Sequence, residues 1–141
     1  MRDTLFETDS KVVIYTDGGA RGNPGPAAIG VTLLGHEYGE RIGIATNNVA
    51  EYKALIFGMK KAKQLLGKAK AKKAEVEIRM DSELVVKQMQ HIYKIEEAEL
   101  QKLFVEAWNL ILDFGSVGFV HVPRAKNAKA DALVNKALDA S

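Results

Sequence analysis

Four acidic residues stand where the chain changes direction: Asp17, Glu51, Asp81 and Asp131. Asp17 follows the apolar run Val12-Val13-Ile14-Tyr15-Thr16, and Asp81 closes the alternating stretch Ala74 to Asp81. Glu51 and Asp131 fall near the starts of two amphipathic patterns. Carboxylates gathered at one place repel each other unless a cation lies among them. Oxygen ligands with no His or Cys beside them favour a hard ion, Mg²⁺ or Mn²⁺. The chemistry that uses such a cluster is phosphodiester hydrolysis with two ions per site, one activating water and one stabilising the leaving oxygen. Each acid also has an ordinary explanation. Asn48 and Glu51 have the spacing of a helix capping box. Asp81 and Asp131 suit the positive end of a helix dipole, and Asp is common in turns such as the one after Thr16. The acids acquire meaning only if the fold brings them together.

The elements that would do so are legible from periodicity. Val12 to Thr16, bounded by glycines, suits a strand buried on both faces. Four glycines and two prolines lie between Gly18 and Pro26, where glycine would let the backbone approach a ligand or take positive φ. No helical pattern follows them, so this is not a dinucleotide-binding fingerprint. Ala27 to Leu34 and Glu37 to Ala45 read as two more strands, giving an antiparallel meander of three. Thr46 to Glu51 opens a helix whose stripe is Tyr52, Leu55, Ile56, Met59, Ala62 and Leu66, closed by Gly67. Ala74 to Asp81 alternates with period two, a fourth strand. Ser82 can cap a helix carrying Leu84, Val85, Gln88 and Met89. The link Gln90 to Lys94 leads to a long helix, about Glu96 to Asp113, with Trp108 beside its apolar stripe at core or rim. Val117 to Val122 is a fifth strand. A basic loop, Pro123 to Lys126, and Asn127 as N-cap precede a last helix bearing Ala130, Leu133, Val134, Ala137 and Leu138.

The order β-β-β-α-β-α-α-β-α predicts an α/β fold: a five-stranded mixed sheet, three strands antiparallel and then two parallel, flanked by about four helices. A right-handed helical crossover makes the fourth strand parallel to its partner. If that partner is the first strand, Asp17 and Asp81 emerge roughly 5 Å apart on adjacent strands. Ligands of open α/β sheets bind at such carboxyl ends.

Composition narrows the class. A chain of 141 residues suits a single domain, 1–141, since typical domains hold about 100–150 residues. The absence of cysteine excludes disulfides, thiolate zinc sites and a cysteine nucleophile. No stretch approaches the roughly 20 apolar residues of a membrane helix. Met1 to Ser10 carries charges and no apolar core, so it is expected to be a flexible N-terminal segment rather than a secretory signal. The expected address is cytoplasmic, and the expected state a monomer. Net charge is only +2, but seven lysines lie between Lys60 and Lys73. That run is either a solvated helix face or a polyanion contact.

Four blocks, TDGGARGNPGPAA (16–28), TNNVAEY (46–52), MDSELVV (80–86) and RAKNAKADALV (124–134), resemble in order and spacing the signature blocks of type 1 ribonuclease H. The resemblance spans Lys11 to Leu138. It implies the RNase H-like fold and an endonuclease that cuts the RNA strand of RNA–DNA hybrids, with Mg²⁺ or Mn²⁺, leaving 5′-phosphate and 3′-hydroxyl ends. It carries the catalytic, metal-binding carboxylates onto Asp17, Glu51, Asp81 and Asp131. Its hybrid-contacting positions fall on Gly18 and Asn23 in the glycine-rich turn, on Asn47 and Asn48, and by neighbourhood on Arg21 and Ser82. Asn side chains and glycine-rich backbone can pair with a 2′-hydroxyl in the shallow minor groove, which selects RNA without reading base sequence. Such binding is salt-sensitive.

The sequence departs from the family pattern twice. Many bacterial members carry a basic, tryptophan-containing protrusion between the two middle helices, whereas Gln90 to Glu97 is short and more acidic than basic. The loop before the last aspartate is also short and lacks the mobile histidine of well-studied members. His121 falls in the fifth strand, so Arg124 is the expected residue for product release. The short loop resembles archaeal and related bacterial branches, some acting on other duplexes. Double-stranded RNA therefore remains an alternative substrate, and a non-catalytic nucleic-acid-binding domain an alternative role.

Overall fold

The computed structural model of the chain describes residues 11–140; the segment 1–10 lies outside the described residues. Three consecutive strands, β1 (Lys11–Ala20), β2 (Gly25–Leu33) and β3 (His36–Ala45), are followed by helices α1 (Asn47–Leu66) and α2 (Lys68–Lys73). Then come β4 (Glu75–Met80), α3 (Glu83–Met89), α4 (Ala98–Ile111), β5 (Ser116–His121), a 3₁₀ turn (Arg124–Asn127) and α5 (Ala128–Asp139). The sheet order is β3-β2-β1-β4-β5. β1 pairs antiparallel with β2, and β2 with β3, while β1–β4 and β4–β5 are parallel. The expected mixed sheet is present, with one short helix more than the sequence suggested.

The register decides where the acids go. Tyr15 lies opposite Arg79 across the parallel pair. Two residues further along, Asp17 and Asp81 must therefore reach the same end of the sheet. One face of β1 and β4 presents Ile14, Val76, Ile78 and Met80, all buried against Tyr52, Leu55 and Met59 of α1. Each such side chain contributes roughly 1.5–3 kcal/mol on burial, so α1 is held firmly across the strands. Leu100, Leu103 and Phe104 of α4 join the same cluster, and the ion pairs Lys60–Glu106 (3.1 Å) and Lys63–Asp113 (3.2 Å) tie α4 and the turn after it to α1. Trp108 is 46% exposed, outside the core.

On the other face α5 crosses β2 and β3 at Gly30 and Gly39, where any Cβ would run into the carbonyl oxygens of Ala130 and Leu133. These glycines allow helix and sheet to meet, and they bring the start of α5 to the carboxyl ends of β1 and β4.

Three sequence expectations need correction. β1 does not stop at Asp17. Gly18, Gly19 and Ala20 continue it, paired with Ile29, Ala28 and Ala27, and the turn is confined to Arg21–Pro24. Gly18 also makes a close packing contact: a Cβ there would overlap the Ala50 carbonyl and Glu51 nitrogen. The cap of α1 is Thr46, whose Oγ1 accepts from Val49 N at 3.2 Å, so Asn48 and Glu51 form no capping box. Asn127 precedes α5 but gives it no side-chain cap. Ser82 caps α3 as expected, accepting from Val85 N at 3.3 Å.

Candidate active site

Carboxylate oxygens of Asp17, Glu51 and Asp81 all lie within 4.8 Å of one another. Asp17 is set by β1, Asp81 by the residue just past β4, and Glu51 by the first turns of α1. Glu51 is fixed by backbone: Gly18 N donates to its Oε1 at 3.1 Å. The close approach that only glycine permits at position 18 thus places the helix carboxylate over the strand. Asp131 stands on the first turn of α5, outside this triad, and reaches the carboxyl of Asp17. All four line one cleft of about 340 Å³, together with Gly18, Arg21, Asn47, Arg124 and Asn135.

The electrostatics are those of crowded carboxylates that disfavour one another's ionisation. Burial, then the charges of Asp81 and Asp131, push Asp17 up to about 8. Burial, then Asp17 and Asp81, hold Glu51 well above the usual carboxylate range, and the Gly18 N–H only partly opposes this. Among the described residues, the basic side chain paired with the four acids is Arg124, whose Nη2 lies 3.9 Å from Asp131 Oδ1. Oxygen donors, close mutual approach and uncompensated charge fit a hard divalent cation.

The remaining predicted positions surround this centre unequally. Asn47 and Asn23 are tied together at the rim: Asn47 Oδ1 accepts from Ala20 N at 2.9 Å, and Asn23 Oδ1 from Asn47 N at 3.0 Å. With their oxygens used internally, their amide N–H groups are what they can offer outward. Arg21 pairs with Asp139 at 2.7 Å and donates weakly to Asn135 Oδ1 at 3.4 Å, which places it at the cleft's edge beside the end of α5. Asn48 is half-buried, and the Ser82 hydroxyl is engaged in its cap. His121 is exposed at the end of β5 and is not among the cleft residues. Of the lysine run, Lys60, Lys61 and Lys63 lie along α1 and the other four on α2. Glu51 is near the start of α1, which ends at Leu66, so α2 begins roughly 23 Å along the helix from Glu51.

Sequence reasoning missed Asn127. Its Nδ2 donates to the Thr16 carbonyl at 2.9 Å and to Asp81 Oδ1 at 3.2 Å, and the residue is 1% exposed. The available signal was its place four residues before Asp131, one turn away on the same face.

The chain is also similar to known proteins. The family described as reverse transcriptase-like matches residues 15–137. The Ribonuclease HI of Halobacterium salinarum is 42% identical over 135 residues, covering 92% of this chain and 65% of that protein. The Bifunctional protein Rv2228c of Mycobacterium tuberculosis is 43% identical over 138 residues, 93% of this chain. The chain spans only 36% of that protein's length. Among solved structures, LC11-RNase H1 in complex with an RNA/DNA hybrid superposes with a TM-score of 0.85 at 48% identity, covering 91% of this chain and 96% of that one.

Proposed function

Since the chain belongs to the type 1 ribonuclease H family, within the reverse transcriptase-like group, we propose that it is a metal-dependent endoribonuclease. Its substrate is the RNA strand of RNA–DNA hybrids, and its products carry 5′-phosphate and 3′-hydroxyl ends. The observation that carries this reading is the meeting of Asp17, Glu51 and Asp81 within 4.8 Å at the carboxyl ends of two parallel strands. Asp17, Glu51 and Asp81, with Asp131 beside them, would hold two Mg²⁺ or Mn²⁺ ions. Bound there, such ions supply an activated water and neutralise charge on the scissile phosphate.

The protein's own groups do the rest by placement. Glu51, braced by the Gly18 N–H, keeps the helix acid against the strand acids without a flexible tether. Asn23 and Asn47, their oxygens already bonded, present amide donors to the sugar edge of a duplex, where a 2′-hydroxyl can accept. Arg21 and Arg124 both line the cleft and are suited to phosphate oxygens. Arg124, 81% exposed and only 3.9 Å from Asp131, is free to follow a departing phosphate.

The test is cleavage of an end-labelled hybrid with and without Mg²⁺, alongside RNA and DNA duplexes of the same sequence. The proposal expects Mg²⁺-dependent cuts in the RNA of the hybrid, abolished by Asp17→Asn. Cutting of duplex RNA at equal rate would replace hybrid specificity with a broader duplex nuclease. Tight hybrid binding without any cleavage would make the chain a binding domain.

A further inference from the structure

Asn127 occupies the position of a helix N-cap and does not act as one. No side-chain bond reaches the amides of α5. Its Nδ2 instead turns to the ends of two strands, donating to the backbone carbonyl of Thr16 in β1 and to Asp81 Oδ1 beyond β4. Both partners are acceptors, so the orientation of the amide is dictated: the nitrogen must face them. Its oxygen is left buried without a partner, an arrangement unfavourable to the fold by itself. Asp17 follows Thr16 directly, and Asp131 lies one helical turn after Asn127. One amide therefore links the strand that bears Asp17, the carboxylate of Asp81 and the helix that bears Asp131. Among the hydrogen bonds described, it is the donor to Asp81.

We propose that Asn127 is a positioning residue, setting the separation and the Asp81 rotamer of the carboxylate cluster so that it accepts divalent cations. This rests on the metal-dependent reading of the site. Groups that orient a ligand typically change metal affinity by 10–100-fold when removed. A group that served only the fold would change melting temperature and leave ion affinity alone.

The experiment measures binding of Mg²⁺ alone by titration calorimetry, and in parallel the Mg²⁺ concentration for half-maximal hybrid cleavage. In Asn127→Ala both should shift to roughly 10–100-fold higher Mg²⁺, with much of kcat recovered at saturating Mg²⁺. Gln90→Ala is the control. It deletes another side-chain amide bond, from Nε2 to the Phe119 carbonyl at 2.7 Å, and should lower the melting temperature with Mg²⁺ affinity unchanged. If Asn127→Ala does not fold, Asn127→Ser keeps one donor and should give a smaller shift of the same sign. Parental Mg²⁺ affinity in either folded variant overturns the assignment while leaving the proposed function intact. Absence of Mg²⁺ binding in the parent protein overturns both.

Discussion

Replacing Asp17 by Asn should destroy turnover and, without metal, make the protein more stable. The magnitude follows from the crowding of carboxylates around it. Asp17 is 7% exposed, and burial together with Asp81 and Asp131 raises it from an ordinary 3.8 to about 8. At pH 7 the unfolded chain ionises this residue and the native state holds it neutral. At about 1.4 kcal/mol for each tenfold change in proton affinity, that opposes folding by up to about 4 kcal/mol. Water in the open cleft and protons shared with Asp81 and Asp131 reduce the figure, so Asp17→Asn should gain about 1–3 kcal/mol. In a domain of this size that is roughly 3–9 °C in melting temperature.

The sign with pH is fixed by the same linkage. Because the folded-state value lies above the unfolded one, the native state retains a proton that the unfolded chain has lost, from about pH 4 to about pH 8. Stability is then greatest below pH 4 as far as this group is concerned, and is lost as pH rises through that window. Differential scanning fluorimetry in EDTA at pH 5, 6, 7 and 8 should show the parent's melting temperature falling relative to that of the variant. Mg²⁺ at pH 8 should restore the parent and leave Asp17→Asn almost unmoved, since binding stabilises only the form that binds. A variant less stable than the parent at pH 7 in EDTA, or one that gains equally from Mg²⁺, would refute the picture of an uncompensated anionic cluster.

Other expectations follow from particular contacts. Gly18→Ala drives a methyl into the Ala50 carbonyl, so it should lower stability by roughly 1–3 kcal/mol and, by displacing Glu51, lose cleavage even at high Mg²⁺; near-parental activity would mean that Glu51 is positioned otherwise. Thr46→Ala should lower stability by about 1 kcal/mol through the lost cap, and Asn48→Ala by much less; the reverse order in denaturant titrations would contradict the observed capping. Arg124→Ala should slow steady-state turnover while sparing a single-turnover burst, and equal loss in both regimes would place Arg124 in an earlier step. Reversing Lys68, Lys70 and Lys73 to Glu should leave cleavage of a short hybrid unchanged, because α2 begins roughly 23 Å along α1 from Glu51; a changed KM on a hybrid of about ten base pairs would show that the duplex reaches α2.

How much of this could be read from the chain depends on the range of each interaction. The strands and long helices announce themselves by local period, and a single crossover makes β4 parallel to its partner, while the sheet order shows that partner to be β1. Asp17 and Asp81 meet in the sequence reading only on the condition that β4 lies beside β1. Glu51 was harder, because Asn48 offered it a local partner three residues away. The choice between cap and cluster was made by Gly18, whose missing Cβ lets α1 settle onto the strand and gives Glu51 a backbone donor from 33 residues earlier. The glycine itself was visible, but a glycine required by a ligand and one required by a helix look alike in a sequence.

The same limit explains Asn127. Read locally, an Asn before an amphipathic helix is a cap, and nothing within ten residues says otherwise. Its actual acceptors are 111 and 46 residues away, on the ends of two strands, and they come within reach only after α5 has docked on Gly30 and Gly39. Asn127 closes the 3₁₀ turn Arg124–Asn127 just before α5, and its amide goes to the strands rather than to the helix. A side chain can then leave its local role only where the assembled fold offers better partners, and at this site those partners are the carbonyl before one candidate ligand and the carboxylate of another. Long-range polar bonds that replace an expected local one therefore mark, in this chain, the positions where folding and the candidate chemistry meet.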